Sequence, residues 1–217
     1  TRVLIDCGFG RREAERRLRA AGCEPAGLDA ILVTHEHADH LFGLDDLRVF
    51  PYYLGRRLPL YCEASVEQRI RTSFDYAFHP DAENSQTSIP QLTLQTIDLS
   101  PFFVLGARVI PMRLYHGRFR VLGFRFGNVA YCTDVNGIPD ETWPLLEGLD
   151  VLILDALRHK FHPTHFNLTQ AVETAKRIGA KQTYFTHIAH EIEHESVNAS
   201  LPHGMQLAYD GLRLDLS

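Results

Sequence analysis

The sequence lacks the features that would place it in a membrane or in a disulfide-rich fold. No apolar run approaches the roughly 20 residues that a membrane-spanning helix requires, so no membrane is expected as a partner. The four cysteines lie far apart and form no C-x-x-C pair, which favours a reducing, cytoplasmic compartment. Basic residues are also fewer than acidic ones, 22 against 27. The formal net charge of -5 disfavours broad electrostatic binding to nucleic acid and leaves a local basic patch open.

What the chain does contain is enough material for one globular domain and an excess of histidine. It has 217 residues, of which 45% are hydrophobic and twelve are histidine. There is no repeat, low-complexity tract or linker, so we expect a single domain over residues 1–217. Apolar strand patterns alternate with helical patterns, and the β-rich stretches form hairpins. This order predicts an α/β fold with mixed sheets and helices on their outer faces.

Three segments illustrate the local signals. Residues 167–178 have helical spacing, with Asn167 as the N-cap and Gln170 three positions later, which is a capping-box pattern. Residues 78–90 are polar and contain proline, which predicts a mobile loop. Residues 206–216 are predicted to form a closing hairpin that turns at an Asp-Gly pair.

The densest chemical signal follows an apolar run at residues 30–34, which predicts a buried strand. The next six residues are His-Glu-His-Ala-Asp-His, and they carry His35, His37, Asp39 and His40. In an extended chain, side chains two positions apart point to the same side. We therefore expect His35 and His37 to face one common point. As the chain turns toward a helix, Asp39 and His40 can face a second point. One loop is therefore predicted to hold two metal ions, for which imidazole and carboxylate suit zinc, manganese or iron.

Three more candidate ligands each follow an apolar strand pattern. They are His116, Asp134 and His187. Strand ends are where α/β folds place functional residues, because the rigid sheet positions the loop. Taken singly, an aspartate after a strand is more often a turn former, and a histidine is more often a surface or core residue. Their joint order after the loop of residues 35–40, which we call the metal loop, favours the ligand interpretation.

In this order the residues resemble those of the metallo-β-lactamase-fold hydrolases, and the resemblance covers nearly the whole chain. It implies an αββα sandwich with a two-metal site at one edge of the two sheets. It also implies that His35, His37 and His116 hold one ion, that Asp39, His40 and His187 hold the other, and that Asp134 and a hydroxide bridge them. Asp6 matches an early family aspartate that supports the metal loop. The expected cofactors are thus two divalent ions, zinc first and manganese second, with iron and nickel also admitted by this ligand set.

Three further stretches are similar to the phosphodiesterase branch of that family, nearest to the phosphoribosyl cyclic phosphate phosphodiesterases. They are residues 41–48, residues 165–168 and a C-terminal set made of residues 185–190, 201–202 and 207–211. The resemblance implies hydrolysis of a small cyclic or nucleotide-like phosphodiester by attack of the bridging hydroxide. The alternatives are a tRNA 3′-processing endonuclease, then a thioesterase or lactonase, and finally a metal-binding scaffold without activity. A homodimer is left open.

The resemblance places a catalytic histidine that is not a ligand at His165. This residue lies directly before the capped helix, and a general acid of near-neutral pKa suits the expulsion of an alkoxide. With the carboxylates Asp39 and Asp134, it completes the predicted catalytic set. His159 and His162 are the nearby competitors for its role, ranked lower because nothing caps a helix beside them.

Second-sphere candidates follow the buried strand predicted at residues 151–155. Asp155 either orients a ligand histidine or is a plain strand-end aspartate. Three arginines that lie near the motifs either clamp phosphate or are solvated, and these are Arg48, Arg118 and Arg158.

The sequence departs from the family at its beginning. The chain begins at Thr1, and the relatives have further strands and a Cys-rich loop upstream, so we expect that N-terminal residues are missing. In those relatives a histidine at the position of His190 completes a structural zinc site with the Cys-rich loop. Whether such a third site forms here is left open.

Overall fold

The computed structural model of the protein describes residues 1–78 and 89–215, with the side chains of 51 and 52 left aside. The chain divides into two compact units. The N-terminal unit comprises Thr1–Asp98, Val104–Gly106 and Asp210–Ser217, and the C-terminal unit comprises Leu99–Phe103 and Ala107–Tyr209. The single-domain prediction stays a prediction. The loop predicted at residues 78–90 lies almost wholly outside the described residues.

The N-terminal unit contains a four-stranded sheet, in the order β1-β2-β3-β4, as far as the structure describes the chain. Its strands are β1 (Val3–Ile5), β2 (Ala30–Leu32), β3 (Leu58–Cys62) and β4 (Leu92–Thr96), and all neighbours pair in parallel. Residues of β2 are fully buried, and alternate residues of β3 are buried. Parallel strands of this kind carry near-continuous apolar sequence because both faces are covered.

Short helices follow the strands of this unit. They are α1 (Arg11–Ala20), α2 (Ala38–Leu41), α3 (Phe50–Leu54) and α4 (Ala64–Ser73), with a 3₁₀ helix at Phe42–Val49. The unit has its own apolar core, to which Ile31, Leu44 and Leu60 contribute fully buried side chains. Burial of a leucine or isoleucine side chain stabilises a fold by about 1.5–3 kcal/mol, so this core holds the loop after β2 in place.

The C-terminal unit is built on a seven-stranded sheet in the order β11-β10-β9-β8-β7-β6-β5, again among the described residues. The strands are β5 (Phe102–Val104), β6 (Ala107–His116), β7 (Phe119–Phe126), β8 (Val129–Cys132), β9 (Val151–Asp155), β10 (Gln182–Thr186) and β11 (Met205–Leu207). Strands β6, β7 and β8 pair antiparallel, whereas β8, β9, β10 and β11 pair in parallel. The predicted α/β class with two sheets and helices is thereby confirmed.

Helices α5 (Leu168–Ile178) and α6 (His194–Ser200) belong to the C-terminal unit. The capping box that the sequence predicts is present: Asn167 accepts from Gln170 N at 2.9 Å, and the Gln170 side chain accepts from Asn167 N at 3.1 Å. Such a cap stabilises a helix by about 1 kcal/mol. It also fixes the chain immediately after His165.

The hairpin predicted at residues 206–216 is wrong. β11 instead pairs in parallel with β10, and Ala208 N donates to Phe185 O at 2.7 Å beyond the ladder. Leu207 N donates to the side chain of Asn198, and Leu207 itself is buried. Residues 205–208 are thus bonded to the edge of the large sheet, and residues 208–215 form no strand that could pair with them.

Among the described residues, no helix combines the length and the apolar character that a bilayer crossing needs.

Candidate metal and catalytic site

The metal loop predicted from the sequence begins after β2 in the N-terminal unit. His37 has an extended backbone and directly precedes α2, and Asp39 and His40 lie on that short helix. The imidazole of His35 is buried, with its ring centroid 4.5 Å from that of His37 and 4.0 Å from that of His40. The side chain of Asp39 is 67% exposed and lies 3.5 Å from His40 Nε2. The four predicted ligands of this loop are therefore close together.

Asp6 organises this loop through three hydrogen bonds. Its Oδ1 accepts from Thr34 N and its Oδ2 from Thr34 Oγ1, both at 2.8 Å, and Oδ2 lies 2.8 Å from His40 Nδ1. A carboxylate can only accept, so His40 carries its proton on Nδ1 and keeps the Nε2 lone pair for a metal. Asp6 adopts a left-handed backbone, with φ of 60°. It contacts the loop in the way that the family resemblance implies.

Replacement of Asp6 by asparagine is expected to weaken metal binding. The amide presents one acceptor oxygen where the carboxylate presents two, so a donor from Thr34 or His40 faces an NH2 group. Loss of such a supporting partner lowers metal affinity by about 10- to 100-fold, which competition with a chelator would measure. Asp29→Asn is the matched control, because Asp29 accepts from Arg2 N and pairs with Arg56. Equal affinity in the Asp6 and Asp29 variants would contradict the supporting role.

A second segment presses against the metal loop. Cys7 N donates to His40 O at 2.8 Å, and Gly43 N donates to Cys7 O at 2.9 Å. A β-carbon built on Gly8 would lie 1.5 Å from the Asp39 carbonyl oxygen. Only glycine permits this close backbone approach, so Gly8 sets the position of Asp39.

The C-terminal unit holds His116 at the end of β6. Its Nδ1 lies 2.7 Å from the carbonyl oxygen of Thr164, and its side chain is buried. A carbonyl oxygen only accepts hydrogen bonds, so the proton of His116 resides on Nδ1. The Nε2 lone pair is thereby set for a metal ion, with the second-sphere contact that metal-binding histidines usually have.

Asp134 and His187 lie after β8 and β10 of the same unit. Asp134 is 2% exposed, its Oδ1 accepts from Thr133 Oγ1 at 2.9 Å, and its Oδ2 lies 3.2 Å from His187 Nε2. His187 adopts a left-handed backbone, with φ of 59°. Such a conformation costs a residue with a β-carbon of order 1–2 kcal/mol and concentrates at functional sites.

His165 lies beside His116 and His187. Its ring centroid lies 4.6 Å from that of His116 and 4.6 Å from that of His187. Its Nδ1 lies 2.7 Å from Asp155 Oδ2, an oxygen that also accepts from Val135 N at 3.0 Å. The sequence left open whether Asp155 orients a ligand histidine or is a plain strand-end aspartate. In the structure it orients His165. Ligand-capable atoms of His116, Asp134 and His165 all lie within 4.8 Å of one another, so the geometry also admits His165 as a metal ligand.

Burial raises the pKa of the Asp155 carboxyl to about 8, and the charge of Asp134 adds to the rise. The raised pKa means that the folded, metal-free protein binds this proton where the unfolded chain has released it. Its contribution to stability is complete below about pH 4 and is lost as the pH rises toward 8.

We expect Asp155→Asn to flatten that decline in the free energy of unfolding of the metal-free protein, measured by denaturant titration at each pH. An unchanged pH dependence would contradict the assignment.

The other candidates have different surroundings. His162 Nδ1 accepts from Thr164 N at 3.3 Å, and its ring lies 5.0 Å from that of His165. Desolvation lowers the pKa of His162, and the charge of His165 lowers it further. Arg158 donates to the carbonyls of Lys160 and Phe161, at 3.3 and 2.9 Å, so it holds the loop. His159 is exposed.

The two remaining arginines also have protein contacts. Arg48 pairs with Asp45 at 3.1 Å, and Arg118 lies over the ring of Phe119 at 5.3 Å. Sequence reasoning missed the supporting roles of Gly8 and Thr164. The Thr164 contact uses a backbone carbonyl, which no side-chain pattern reports.

Each compact unit thus presents a set of histidine and aspartate side chains at strand ends, on a two-sheet α/β fold. That combination is typical of metal-dependent hydrolases. The chain matches the family described as "Beta-lactamase superfamily domain" over residues 1–188, and it belongs to this family.

Two curated relatives are similar to the chain. An octanoyltransferase of Porphyromonas gingivalis is 36% identical over 214 residues, which are 97% of this chain and 42% of that protein. The chain thus spans less than half of that relative. A ribonuclease Z of Pyrobaculum calidifontis is 25% identical over 228 residues, covering 87% of this chain and 76% of that protein.

Among solved structures, a diphosphatase from the PhnP family superposes with a TM-score of 0.85 and 42% sequence identity. The match covers 98% of this chain and 78% of that one. The resemblance to the phosphodiesterase branch is thereby confirmed at the level of the family.

Proposed function

We propose that the protein is a two-metal hydrolase that cleaves a small cyclic or nucleotide-like phosphodiester. The observation that carries the proposal is the placement of His165. It is buried beside His116 and His187 and anchored by Asp155, yet the family's ligand assignment does not use it. Cleavage of a phosphodiester expels an alkoxide, which needs a proton, and an imidazole is the side chain best suited to give one near neutral pH.

The ligand chemistry fits divalent metal ions. His40 and His116 have their Nδ1 protons bound by a carboxylate and a carbonyl, so each presents Nε2 as a donor. Nitrogen and oxygen ligands without thiolate suit zinc first and manganese second. By the family resemblance, the residues that would hold the ions are His35, His37, Asp39 and His40 of the N-terminal unit and His116, Asp134 and His187 of the C-terminal unit. When bound, such ions acidify a water molecule and offset charge on phosphoryl oxygens.

The chain's own groups would do the rest. As the attacking oxygen forms its bond to phosphorus, the bond to the leaving oxygen breaks, and His165 Nε2 gives its proton to that oxygen. The Asp155 contact at Nδ1 keeps the ring in this orientation during the transfer. Water then returns the proton.

The diphosphatase relative supports phosphorus as the atom attacked, since that protein is similar to this chain over 98% of its length. Both a diphosphate and a cyclic diester present a P–O bond whose leaving oxygen needs stabilisation. The net charge of -5 favours a small substrate over a long polyanion.

A second candidate is RNA hydrolysis, which the ribonuclease Z relatives at 25–27% identity favour. It requires a basic surface for phosphate contacts. Binding of tRNA with affinity that falls steeply with salt would support this candidate against the first.

The test is hydrolysis by protein freed of metal and reloaded with zinc or manganese alone. The substrates are a ribose cyclic phosphate, a nucleoside diphosphate derivative, a linear aryl phosphodiester, a thioester and a precursor tRNA. We expect turnover of the cyclic diester or the diphosphate far above that of the thioester. Turnover of the thioester without cleavage of any phosphorus substrate would overturn the proposal.

A further inference from the structure

The side chain of Asn136 joins two segments that carry site residues of the C-terminal unit. Its Oδ1 accepts from Gly117 N at 2.8 Å, and its Nδ2 donates to the carbonyl oxygen of Pro163 at 2.8 Å. Gly117 directly follows His116, and Pro163 lies two residues before His165. The amide orientation is fixed by its partners, because a backbone N–H only donates and a carbonyl only accepts.

Backbone hydrogen bonds also hold the chain around Asn136 between these two segments. Asn136 N donates to Tyr115 O at 2.8 Å, and Phe166 N donates to Val135 O at 2.8 Å. Asn136 also lies two residues after Asp134. The segment that follows β8 is therefore bonded on one side to the end of β6 and on the other to the loop of His165.

Steric contact reinforces the connection. A β-carbon on Gly117 would lie 2.7 Å from Thr164 Cγ2, so the turn after His116 packs directly on the loop before His165. The Thr164 carbonyl in turn accepts from His116 Nδ1. A small shift of either segment would change the relation between the two imidazoles.

We propose that Asn136 is a positioning residue that fixes His165 relative to His116 and Asp134. The catalytic part of this inference rests on the proposed function, whereas the structural part does not. Without the Nδ2 bond, the loop that includes Pro163 and His165 keeps only the bond from Phe166 N to Val135 O as its tie to this segment, while the turn at His116 keeps its own bonds.

The variant Asn136→Asp separates the two bonds. A carboxylate still accepts from Gly117 N, but it cannot donate to the Pro163 carbonyl and repels it. In spectra of the full chain with 15N-labelled histidine, with and without zinc, we expect the His165 signals to move most. Those of His116 should move less, because Gly117 keeps its bond to residue 136. Asn136→Ala removes both bonds and is expected to move both sets, which keeps the test valid if the aspartate variant does not fold.

Kinetics give the second measurement. Outer-sphere partners of this kind typically change activity by about 10- to 100-fold, so we expect a loss of about tenfold in kcat for Asn136→Asp with an unactivated diester. A nitrophenyl diester, whose leaving oxygen needs no proton, should be nearly unaffected. A loss in kcat on the unactivated diester without a loss on the nitrophenyl diester is an outcome that a merely structural defect would not give.

Asn128→Asp is the matched control, since Asn128 donates to Asp150 at an exposed turn of the same unit. Unmoved His165 signals in both Asn136 variants, or equal losses on both esters, would overturn the proposal. If the wild-type protein hydrolyses no phosphodiester while the His165 signals still move, the proposed function fails and the positioning role stands.

Discussion

Replacement of His165 by alanine is expected to lower kcat on an unactivated phosphodiester by about 10²- to 10⁴-fold, the range that general acids contribute. The protein should nonetheless bind its full complement of metal. The reason is geometric: His165 is held by Asp155 through Nδ1 at 2.7 Å and lies beside the ligand candidates without being required among them. Turnover against the pKa of the leaving group is the measurement, with the loss largest for the most basic leaving oxygen.

Metal analysis of the same variant decides between the two roles that the structure allows. Because His165 lies within reach of His116 and Asp134, a ligand role predicts that His165→Ala loses bound metal. His159→Ala is the control, since His159 is an exposed histidine of the same loop. A variant with unchanged metal content and wild-type turnover on the unactivated diester would contradict both roles.

Gly8→Ala is expected to displace the metal loop, because the backbone of Asp39 occupies the place of the new side chain. The added β-carbon would lie 1.5 Å from the Asp39 carbonyl oxygen and 2.3 Å from its carbonyl carbon. Backbone cannot move aside cheaply, and overpacking of this kind costs about 1–3 kcal/mol. We expect a matching fall in the free energy of unfolding, and a loss of metal affinity of about 10- to 100-fold because Asp39 shifts.

Gly10→Ala gives the matched comparison within the same segment. Its added carbon would meet a side-chain oxygen, Asp46 Oδ2, at 2.9 Å, which can shift at the expense of its hydrogen bond from Arg11 N. We expect a small change in stability and none in metal affinity, measured by denaturant unfolding and chelator competition. Equal metal affinity in the Gly8 and Gly10 variants would show that the contact with Asp39 does not set the loop.

Patterns local in sequence predicted the elements that carry the site. The apolar run before His35 is β2, and the strand expected at residues 151–155 is β9. The capping box at Asn167 formed because its two partners lie three residues apart, which sequence spacing reports directly. These signals succeed because each depends on neighbours within one turn or one strand.

Contacts between distant segments could not be predicted in this way. Thr164 supports His116 through a carbonyl oxygen 48 positions away, and every residue has a carbonyl. The failed hairpin at residues 206–216 has the same cause, because its Asp-Gly signal is local while pairing with β10 is decided by the sheet edge. The ligand assignment that joins the two units came from family resemblance and stays a prediction.

Asp6 and His187 both hold a backbone conformation that glycine would adopt at lower free energy. Each is also the residue that its unit needs at that point, one to anchor the metal loop and one to stand beside Asp134. The most stable sequence for this backbone is therefore a different sequence from the one that carries the site. At these two positions, improvement of the fold and retention of the chemistry are opposing goals for anyone who engineers the protein.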